Sequence, residues 1–355
     1  MAYYRESTKP TVVRSPAFAE RGIEPETPPI DVKAVQDEAW TRIQPHFTEV
    51  NQQTRELTTT LVSQIETFLK NAPKGAPKFA EDALSWKSKW ELIKSRPGHR
   101  KFIAEKFSQY LFSQQELAQL LEQVSTEYAQ GLKSVENQFL VKVRADLEDL
   151  PVQALPAFAS QDVLEDRFAN VVSLVTTDVA SDLQFDIGRE VTSLVSGEVI
   201  AVVITRTLTA VATRMGISGA ILGTGAVSST MTFGAGIVIG IAVDYILNWI
   251  ISWFHDPVGN LSEKVKSSLA EVSDAIINGD PTTRKEYKVV SEMSESEADS
   301  ELREAAFKAK GAIERSGALG LNYVLRNVTE IQEQSRQLAL KQLVYDEVTL
   351  NTEQP

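Results

Sequence analysis

The stretch SQQELAQLLEQVSTEYAQGLKSVENQFLVKVRADL, residues 113–147, sets the pattern on which the rest of the chain is built. Ser113 and Glu116 have the spacing of a capping box, the arrangement that opens an α-helix. Apolar side chains then recur every three or four residues, the period of one helix face. Pro151 and Pro156 end the run, because proline cannot continue a helix. The stretch therefore predicts a helix of about ten turns with one face against partner helices. That face consists of Leu117, Leu121, Val124, Tyr128, Leu132, Val135, Phe139, Val143 and Leu147.

The same helical period appears on both sides of this stretch. It predicts a long helix from Asp31 to about Asn71 and another that begins near Ser160. We find no internal repeat and no strand–helix alternation, so nothing indicates a sheet. The remaining predicted elements are a short helix over Phe79–Lys94, a turn at Arg96–Gly98 that leads into another short helix, a helix over Leu261–Ile277, a turn at Asn278–Pro281 and a long helix over about Ala298–Tyr345.

These patterns divide the chain into segments of different character. The N-terminal residues carry five prolines and no apolar period, which is typical of a flexible tail. The predicted segments are a flexible tail (1–30), an N-terminal helical bundle (31–158), a connecting helix (159–190), an apolar glycine-rich hairpin (191–254), a C-terminal helical region (255–345) and a frayed tail (346–355).

Composition excludes several function classes. The chain has 355 residues and no cysteine, so disulfides, thiolate metal sites and a cysteine nucleophile are absent. Its formal charge of −12 disfavours nucleic acid, because phosphate contacts supply most of that affinity. His46, His99 and His255 are far apart and none has a partner at metal-ligand spacing. No nucleophile, zinc-protease or phosphate-loop motif is present. We expect no enzyme activity, metal, cofactor, nucleic acid or small-molecule substrate.

The most unusual part of the sequence is its apolar centre. The 29 residues from Met215 to Val243 contain no charge. Because one helical span of a bilayer needs about 20 residues, the wider region offers two spans and a connection. We place the spans at Leu194–Arg214 and Phe233–Trp253, joined by a Gly-, Ser- and Thr-rich stretch over Met215–Thr232. The sequence thus predicts an all-α fold in which long amphipathic helices flank a central apolar, glycine-rich helical hairpin.

Small and aromatic residues in this centre are placed as in membrane helices. Glycines four residues apart let two helices approach closely in lipid, and tryptophans near one end suit the interface between lipid and water. We therefore predict roles in membrane insertion for Gly219, Gly223, Gly236, Gly240, Trp249 and Trp253.

The centre also carries a few charges that need an explanation. Glu198, Arg206, Arg214 and Asp244 are the four charged residues between Leu194 and Trp253. A charge in lipid or in a dry core is expensive. In the predicted hairpin, Arg206 and Asp244 lie at similar depth, about 12 and 16 Å from the connection at the helical rise per residue. We expect these two side chains to form an ion pair.

Two other interpretations of the apolar centre remain open at the level of sequence. A glycine- and alanine-rich helical hairpin can be the buried core of a soluble bundle, with its charges at the rim. Alternatively, Val199–Thr209 is rich in valine, isoleucine and threonine, which favour strands. That stretch would then form an amphipathic β-tongue that refolds.

One basic, aromatic patch stands out in the acidic chain: SWKSKWELIKSRPGHRKF, residues 85–102. Trp86 and Trp90 lie one helical turn apart on the same face. The basic residues predict a contact with anionic lipid headgroups, for which the candidates are Lys94, Arg96, Arg100 and Lys101. The interpretation that the sequence favours, however, is a tryptophan pair in the core with a solvated basic rim.

In organisation alone, the chain resembles helical pore-forming proteins of the cytolysin A and haemolysin BL type, which also place an apolar hairpin between long amphipathic helices. No motif is shared, so no residue role is carried over. The resemblance implies insertion into a lipid bilayer and assembly into a homo-oligomer. The alternatives are a resident scaffold anchored by a permanent hairpin and a soluble helical assembly protein. Because the N-terminus has no apolar core, we expect no Sec signal and a location in the cytoplasm or on the cytoplasmic side of a membrane.

Overall fold

The computed structural model describes residues 30–182, 197–215, 238–240, 242–243, 246–247, 250, 260–295 and 300–345. This part of the chain is 89% helical and contains no strand, which confirms the all-α class. Short 3-10 turns lie at Ala72–Gly75 and Pro156–Phe158. The helices are α1 (Val32–Asn71), α2 (Ala76–Ala83), α3 (Trp86–Lys94), α4 (Arg96–Tyr110), α5 (Gln114–Asp146), α6 (Gln161–Asp182), α7 (Gly197–Arg214), α8 (Leu261–Asn278), α9 (Pro281–Glu295), α10 (Ser300–Arg315) and α11 (Gly320–Tyr345).

The start of α5 agrees with the sequence pattern. The Glu116 backbone N–H donates to Ser113 Oγ over 3.1 Å, and the Ser113 backbone N–H donates to Glu116 Oε2 over 2.7 Å. Both halves of the capping box are therefore formed, and two amides that would lack a partner at the helix end are satisfied. Seven of the nine predicted face residues are buried within α5, and the eighth, Leu147, is buried just after it.

Two predicted boundaries near α3 are wrong for the same physical reason, a serine cap. The predicted helix over Phe79–Lys94 is two helices, because Ser85 caps α3 by accepting from the Ser88 backbone N–H over 3.3 Å. The predicted turn at Arg96–Gly98 is the first turn of α4, which Ser95 caps in the same way. Pro97 is tolerated there because the first-turn amides of a helix need no intrahelical acceptor.

The predicted C-terminal helix is also divided. It is broken into α10 and α11 at residues 316–319, where Gly317 and Gly320 have φ angles of 72° and 84°. Helices α9 and α10 form a side hairpin that leaves the bundle after α8 and returns at α11. The neck of this hairpin is tight: the Asp280 N–H donates to Ala318 O over 3.2 Å, and a Cβ on Gly320 would lie 2.2 Å from Gly279 N.

Helices α1 and α5 run antiparallel, and helices from the N-terminal and C-terminal halves of the described chain pack together. Lys142 lies 2.7 Å from Glu49, whereas Gln64, further along α1, bonds to Glu127, which comes earlier in α5. Helix α11 packs along α1 and α6, and α8 packs against α1, α2 and α11. The N-terminal and C-terminal helices therefore belong to one bundle.

The buried apolar residues form two separate cores. The small core lies where α1 residues 39–50, α5 residues 139–143 with the following Leu147, α6 and α11 residues 339–344 meet. The large core joins α1 residues 61–69 and α5 residues 117–132 to α11 residues 321–331, and also contains α2, α4, α7, α8 and residues of the 238–250 segment. The apolar centre of the sequence is thus part of the large core.

The neck of the side hairpin generates a stability prediction. Gly279→Ala is expected to lower the free energy of unfolding by at least about 2 kcal/mol, because φ 91° and ψ 160° fall in a region that is essentially restricted to glycine. The new Cβ would also lie 2.6 Å from the Leu319 carbonyl carbon. Urea unfolding followed by circular dichroism measures the loss. Thr282→Ala, an exposed neighbour, is the control and should change little; equal midpoints for both variants would contradict the prediction.

Candidate functional site

Helix α7 presents a continuous apolar face to the large core. The predicted first span began at Leu194, and the helix that the structure describes covers Gly197–Arg214. At every described position of the 238–250 segment the backbone is helical, and all of these residues except Ile239 are buried. The buried valine, leucine and isoleucine residues of the two are Ile200, Val203, Ile204, Leu208 and Val211, and Val238, Val243, Ile246, Leu247 and Ile250. Together we call α7 and these residues the apolar insert.

Threonines in α7 keep their hydroxyl hydrogen bonds within the helix. Thr207 Oγ1 donates to Val203 O over 2.9 Å, Thr209 Oγ1 to Thr205 O over 2.8 Å, and Thr213 Oγ1 to Thr209 O over 2.9 Å. Such bonds to the carbonyl four residues earlier do not depend on a neighbouring helix. These three hydroxyls would therefore remain satisfied if α7 left the bundle.

The opposite side of α7 is polar. Arg206 and Thr213 are exposed and Thr209 is half-buried, at spacings of three and four residues that define one stripe. Arg206 is exposed because the helix turns it away from the face that contains Ile204 and Leu208. Its proposed partner Asp244 lies outside the described residues. No helix within the described residues combines the length and the apolarity that crossing a bilayer requires.

Most of the other predicted insertion residues cannot be compared with the structure. Gly240 is buried in a helical stretch. The stretch Val199–Thr209 lies within α7, so it is helical in this conformation and not a β-tongue. The predicted insertion residues that lie outside the described part are Gly219, Gly223, Gly236, Asp244, Trp249 and Trp253.

A layer of polar side chains separates the large core from the small core. Tyr128 OH on α5 donates to Gln332 Oε1 on α11 over 3.0 Å. The hydroxyls of Thr58 on α1 and Thr329 on α11 lie 2.7 Å apart. We call this set the polar layer: Asn51, Thr54 and Thr58 of α1, Tyr128 and Glu136 of α5, and Thr329, Gln332, Ser335 and Arg336 of α11.

Arg336 is the centre of the polar layer. Its side chain is 1% exposed, and its guanidinium donates to Asn51 Oδ1 over 2.9 Å and to Thr54 Oγ1 over 3.3 Å. Glu136 Oε1 lies 3.6 Å from Arg336 Nη2 and supplies the compensating charge. Burial raises the pKa of Glu136, and Arg336 opposes that rise. Removing either partner would leave the other with a charge that is costly inside the bundle.

The bundle thus contains two parts held by different forces. Helices α1, α5 and α11, which we call the frame, are joined by directional hydrogen bonds across the polar layer. The buried face of α7 offers mainly aliphatic contacts, and near the end of the helix Arg214 Nη1 lies 3.9 Å from Glu286 Oε2 of α9, with both side chains half-exposed. Apolar contacts are not directional, so lipid chains can replace them, whereas lipid cannot replace the hydrogen bonds of the frame.

The basic patch differs from the favoured interpretation of the sequence. Trp86 and Trp90 are 77% and 49% exposed, so a tryptophan pair in the core is wrong. The buried residues of this region are Ser88, His99 and Phe102, and Ser88 Oγ lies 3.0 Å from His99 Nε2. Burial lowers the pKa of His99. Among the headgroup candidates, Lys94, Arg96 and Lys101 are exposed and Arg100 is half-buried.

A groove of about 1100 Å³ lies between α1, α11 and the base of the side hairpin. Both signs of charge line it, and Arg55 crosses it to form two 2.7 Å bonds with Glu333. Tyr287 and Tyr323 pack at its edge with ring centroids 5.7 Å apart. Among the described residues, no group of three or more His, Asp and Glu side chains is placed to hold a metal ion.

The polar layer is the element that sequence reasoning missed. Its members interrupt the apolar stripes of three helices at interior positions, and the tyrosine at 128 was assigned to an apolar face. The signal that would have found it is the coincidence of such interruptions, for example Thr54 and Thr58 on α1 with Ser335 and Arg336 on α11. Pairing those interruptions requires knowledge of which helices are neighbours.

No known protein family, curated protein or solved structure matches this chain. The functional conclusion therefore depends on the geometry of the described residues alone.

The buried ion pair yields a prediction with a defined pH dependence. Arg336→Met should cost about 3 kcal/mol of stability at pH 7, because it leaves Glu136 without its partner. The variant raises the pKa of Glu136 in the folded protein further above its unfolded value. The folded state then binds the proton more tightly, so the lost stability is recovered as the pH falls through that raised pKa. Urea unfolding at pH 7 and pH 5 measures both effects.

The double variant Glu136→Gln with Arg336→Met is the control for this charge effect. It removes both charges and should recover part of the stability at pH 7, with less dependence on pH. If the single and double variants are equally unstable at both values of pH, the ion pair does not hold the polar layer.

Proposed function

We propose that this protein inserts into lipid bilayers, stores its apolar insert in the large core until it meets a membrane, and assembles with copies of itself (the pore-forming type). The observation that carries the proposal is the contrast between the hydrogen-bonded frame and the aliphatic face of α7. Thr207, Thr209 and Thr213 bond to carbonyls of their own helix, so these hydroxyls can exchange protein neighbours for lipid without losing their hydrogen bonds. A helix of the polar layer would lose its hydrogen bonds to neighbouring helices if it moved into lipid.

The free-energy cost of exposing the apolar insert to water indicates how the insert would leave the core. Exposing the ten buried valine, leucine and isoleucine side chains of the insert to water would cost roughly 15–30 kcal/mol. That exceeds the roughly 5–15 kcal/mol that stabilises a typical folded protein. The insert would therefore leave the core only where lipid or another copy of the chain accepts the apolar face, which makes the membrane itself the trigger.

The polar stripe of α7 supports assembly over insertion as a single helix. Arg206 and Thr213 share one side of the helix, and a charge that faces hydrocarbon costs roughly 2.5–3.5 kcal/mol on insertion scales. In a ring of several copies, that side would face a water-filled lumen and the aliphatic side would face lipid or neighbouring helices.

The second candidate is a soluble helical assembly protein in which the insert is a permanent core. The observation that favours it is the burial of the insert, since Ile200, Ile204 and Ile250 are 0% exposed and belong to the large core. The resident scaffold differs again, because it would require detergent for extraction from the start. Fractionation of the expressed protein, followed by addition of vesicles, separates the three candidates.

A reversible tether tests whether the insert must leave the bundle. A Cβ on Gly317 would lie 3.6 Å from the Ala210 Cβ, within the range of natural disulfides. Ala210→Cys with Gly317→Cys should therefore lock α7 to the connection before α11 when oxidised. We expect the oxidised protein to lose at least about nine tenths of its release of dye from vesicles, and reduction to restore it. Because φ is positive at position 317, the cysteine is strained there in both redox forms, so their comparison cancels that strain.

The matched control places a tether within the frame. Thr58→Cys with Thr329→Cys joins α1 to α11, where the two hydroxyls lie 2.7 Å apart. Oxidation of this variant should leave dye release unchanged. If both tethers abolish release, general rigidity is responsible. If neither tether changes dye release, α7 does not have to leave the bundle and the proposed insertion is wrong. If the wild-type chain releases no dye, the insert is a permanent core and the second candidate is correct.

A further inference from the structure

Helix α3 carries an exposed apolar stripe that the apolar insert does not explain. Trp86, Trp90 and Ile93 are 77%, 49% and 71% exposed. Their spacings of four and three residues place them on one side of the helix. Isolated exposed apolar side chains are ordinary, but three large ones in contiguous positions usually mark an interaction surface.

The scaffold fixes this stripe toward solvent. On the opposite side of α3, Ser88 is 0% exposed and its Oγ lies 3.0 Å from His99 Nε2 on α4. Ser85 caps the start of α3, and Ser95, which follows its last residue, caps α4. A helix of nine residues is marginal by itself, so these contacts are what hold its orientation. The exposure of the two tryptophans is therefore built into the fold.

Cations surround the stripe. Residues 85–102 contain six lysines and arginines and one acid, Glu91, a net charge of +5 within a chain of net charge −12. Lys94 Nζ lies 5.7 Å from the centre of the Trp90 ring and 3.5 Å from Glu91. The exposed cations of this surface are Lys87, Lys89, Lys94, Arg96 and Lys101.

We propose that the α3 face, defined as Trp86, Trp90 and Ile93 with Lys94, Arg96 and Lys101, docks the protein on an anionic lipid surface. Tryptophan prefers the boundary between hydrocarbon and headgroups. Lysine and arginine can extend their charged ends to the phosphates while their stems lie along the apolar surface. This combination, in a chain that is otherwise repelled by negative charge, favours an anionic membrane over the acidic surface of a second copy.

Docking by α3 goes beyond insertion by α7, because it assigns the first contact to different residues. It also explains how an acidic chain could approach an anionic bilayer before insertion. A chain of net charge −12 needs a local attraction to approach an anionic bilayer, and that attraction acts within about one Debye length of the surface. The two steps are separable by experiment, since docking requires no release of the apolar insert.

The test compares charge variants of equal size on two surfaces. Lys94→Gln with Arg96→Gln and Lys101→Gln removes three charges from the α3 face. Lys288→Gln with Arg303→Gln and Lys308→Gln removes three exposed charges from the side hairpin. Flotation with phosphatidylcholine vesicles, with and without phosphatidylserine, measures binding at low and high salt. We expect the first variant to bind the phosphatidylserine vesicles at least about tenfold more weakly at low salt, and the second to bind like the wild-type chain.

A second pair of variants tests the apolar stripe. Trp86→Gln with Trp90→Gln should weaken binding severalfold and remove the part of the fluorescence blue shift that these two indoles contribute on vesicles. Val289→Gln with Phe307→Gln changes two equally exposed side chains of the side hairpin and should have no effect. Circular dichroism melting of every variant confirms that the fold is intact.

Vesicle binding, solution mass and dye release together decide whether the α3 face docks on lipid. Equal binding of the two charge variants, or equal binding of the wild-type chain to vesicles without phosphatidylserine, would overturn it. A lower solution mass of the α3 variants with unchanged vesicle binding would assign the face to a second copy. Dye release, recorded in parallel, keeps the steps apart: docking without release would refute insertion and leave docking supported, and release that survives loss of the α3 face would refute docking alone.

Discussion

The guanidinium of Arg336 is the constraint on which the bundle depends. It is buried between α1, α5 and α11, where a charge is tolerated only if its hydrogen bonds and its counter-charge are in place. Asn51 and Thr54 accept hydrogen bonds from its Nη1 and Nη2 and Glu136 supplies the counter-charge, and each reaches the site only when its helix has one rotation and one register. Apolar contacts alone would allow small rotations and shifts, because they lack direction. The polar layer thus fixes three helices that are otherwise held by interchangeable leucines and valines.

The apolar insert differs from this frame in the kind of contacts that hold it. Helix α7 contributes much apolar surface to the large core, yet three of its threonines satisfy their hydroxyls within the helix and its exposed stripe faces solvent. A protein that had only to remain folded would gain from extending the polar layer into α7, because directional bonds specify one arrangement. If α7 changes neighbours, as proposed, its position outside that layer means that few hydrogen bonds to other helices have to be broken. For this reason the proposed insertion keeps the frame intact and moves only the insert.

The short helix α3 adds a second surface with a different chemistry. Its tryptophans and lysines suit the boundary of a bilayer, whereas α7 suits the interior or the wall of a water-filled opening. In the functions proposed for them, the two helices would serve approach to the membrane and entry into it on separate elements of the chain. The separation has a structural cause: α3 is held by the buried Ser88–His99 contact and two serine caps, so its surface is available without any rearrangement of the large core.

What the sequence alone determined is whatever depends on neighbours along the chain. The apolar period, the Ser113–Glu116 capping box and the uncharged run from Met215 to Val243 follow from local spacing, so the all-α class and the long helices could be predicted. The tertiary structure decided what depends on distant partners. Tyr128 meets Gln332 across 204 positions and Arg336 meets Asn51 across 285, so no local pattern could assign the polar layer. Rotation of each helix likewise decided that Arg206 and Trp86 face solvent, because amphipathic spacing defines a face but only packing selects what that face meets.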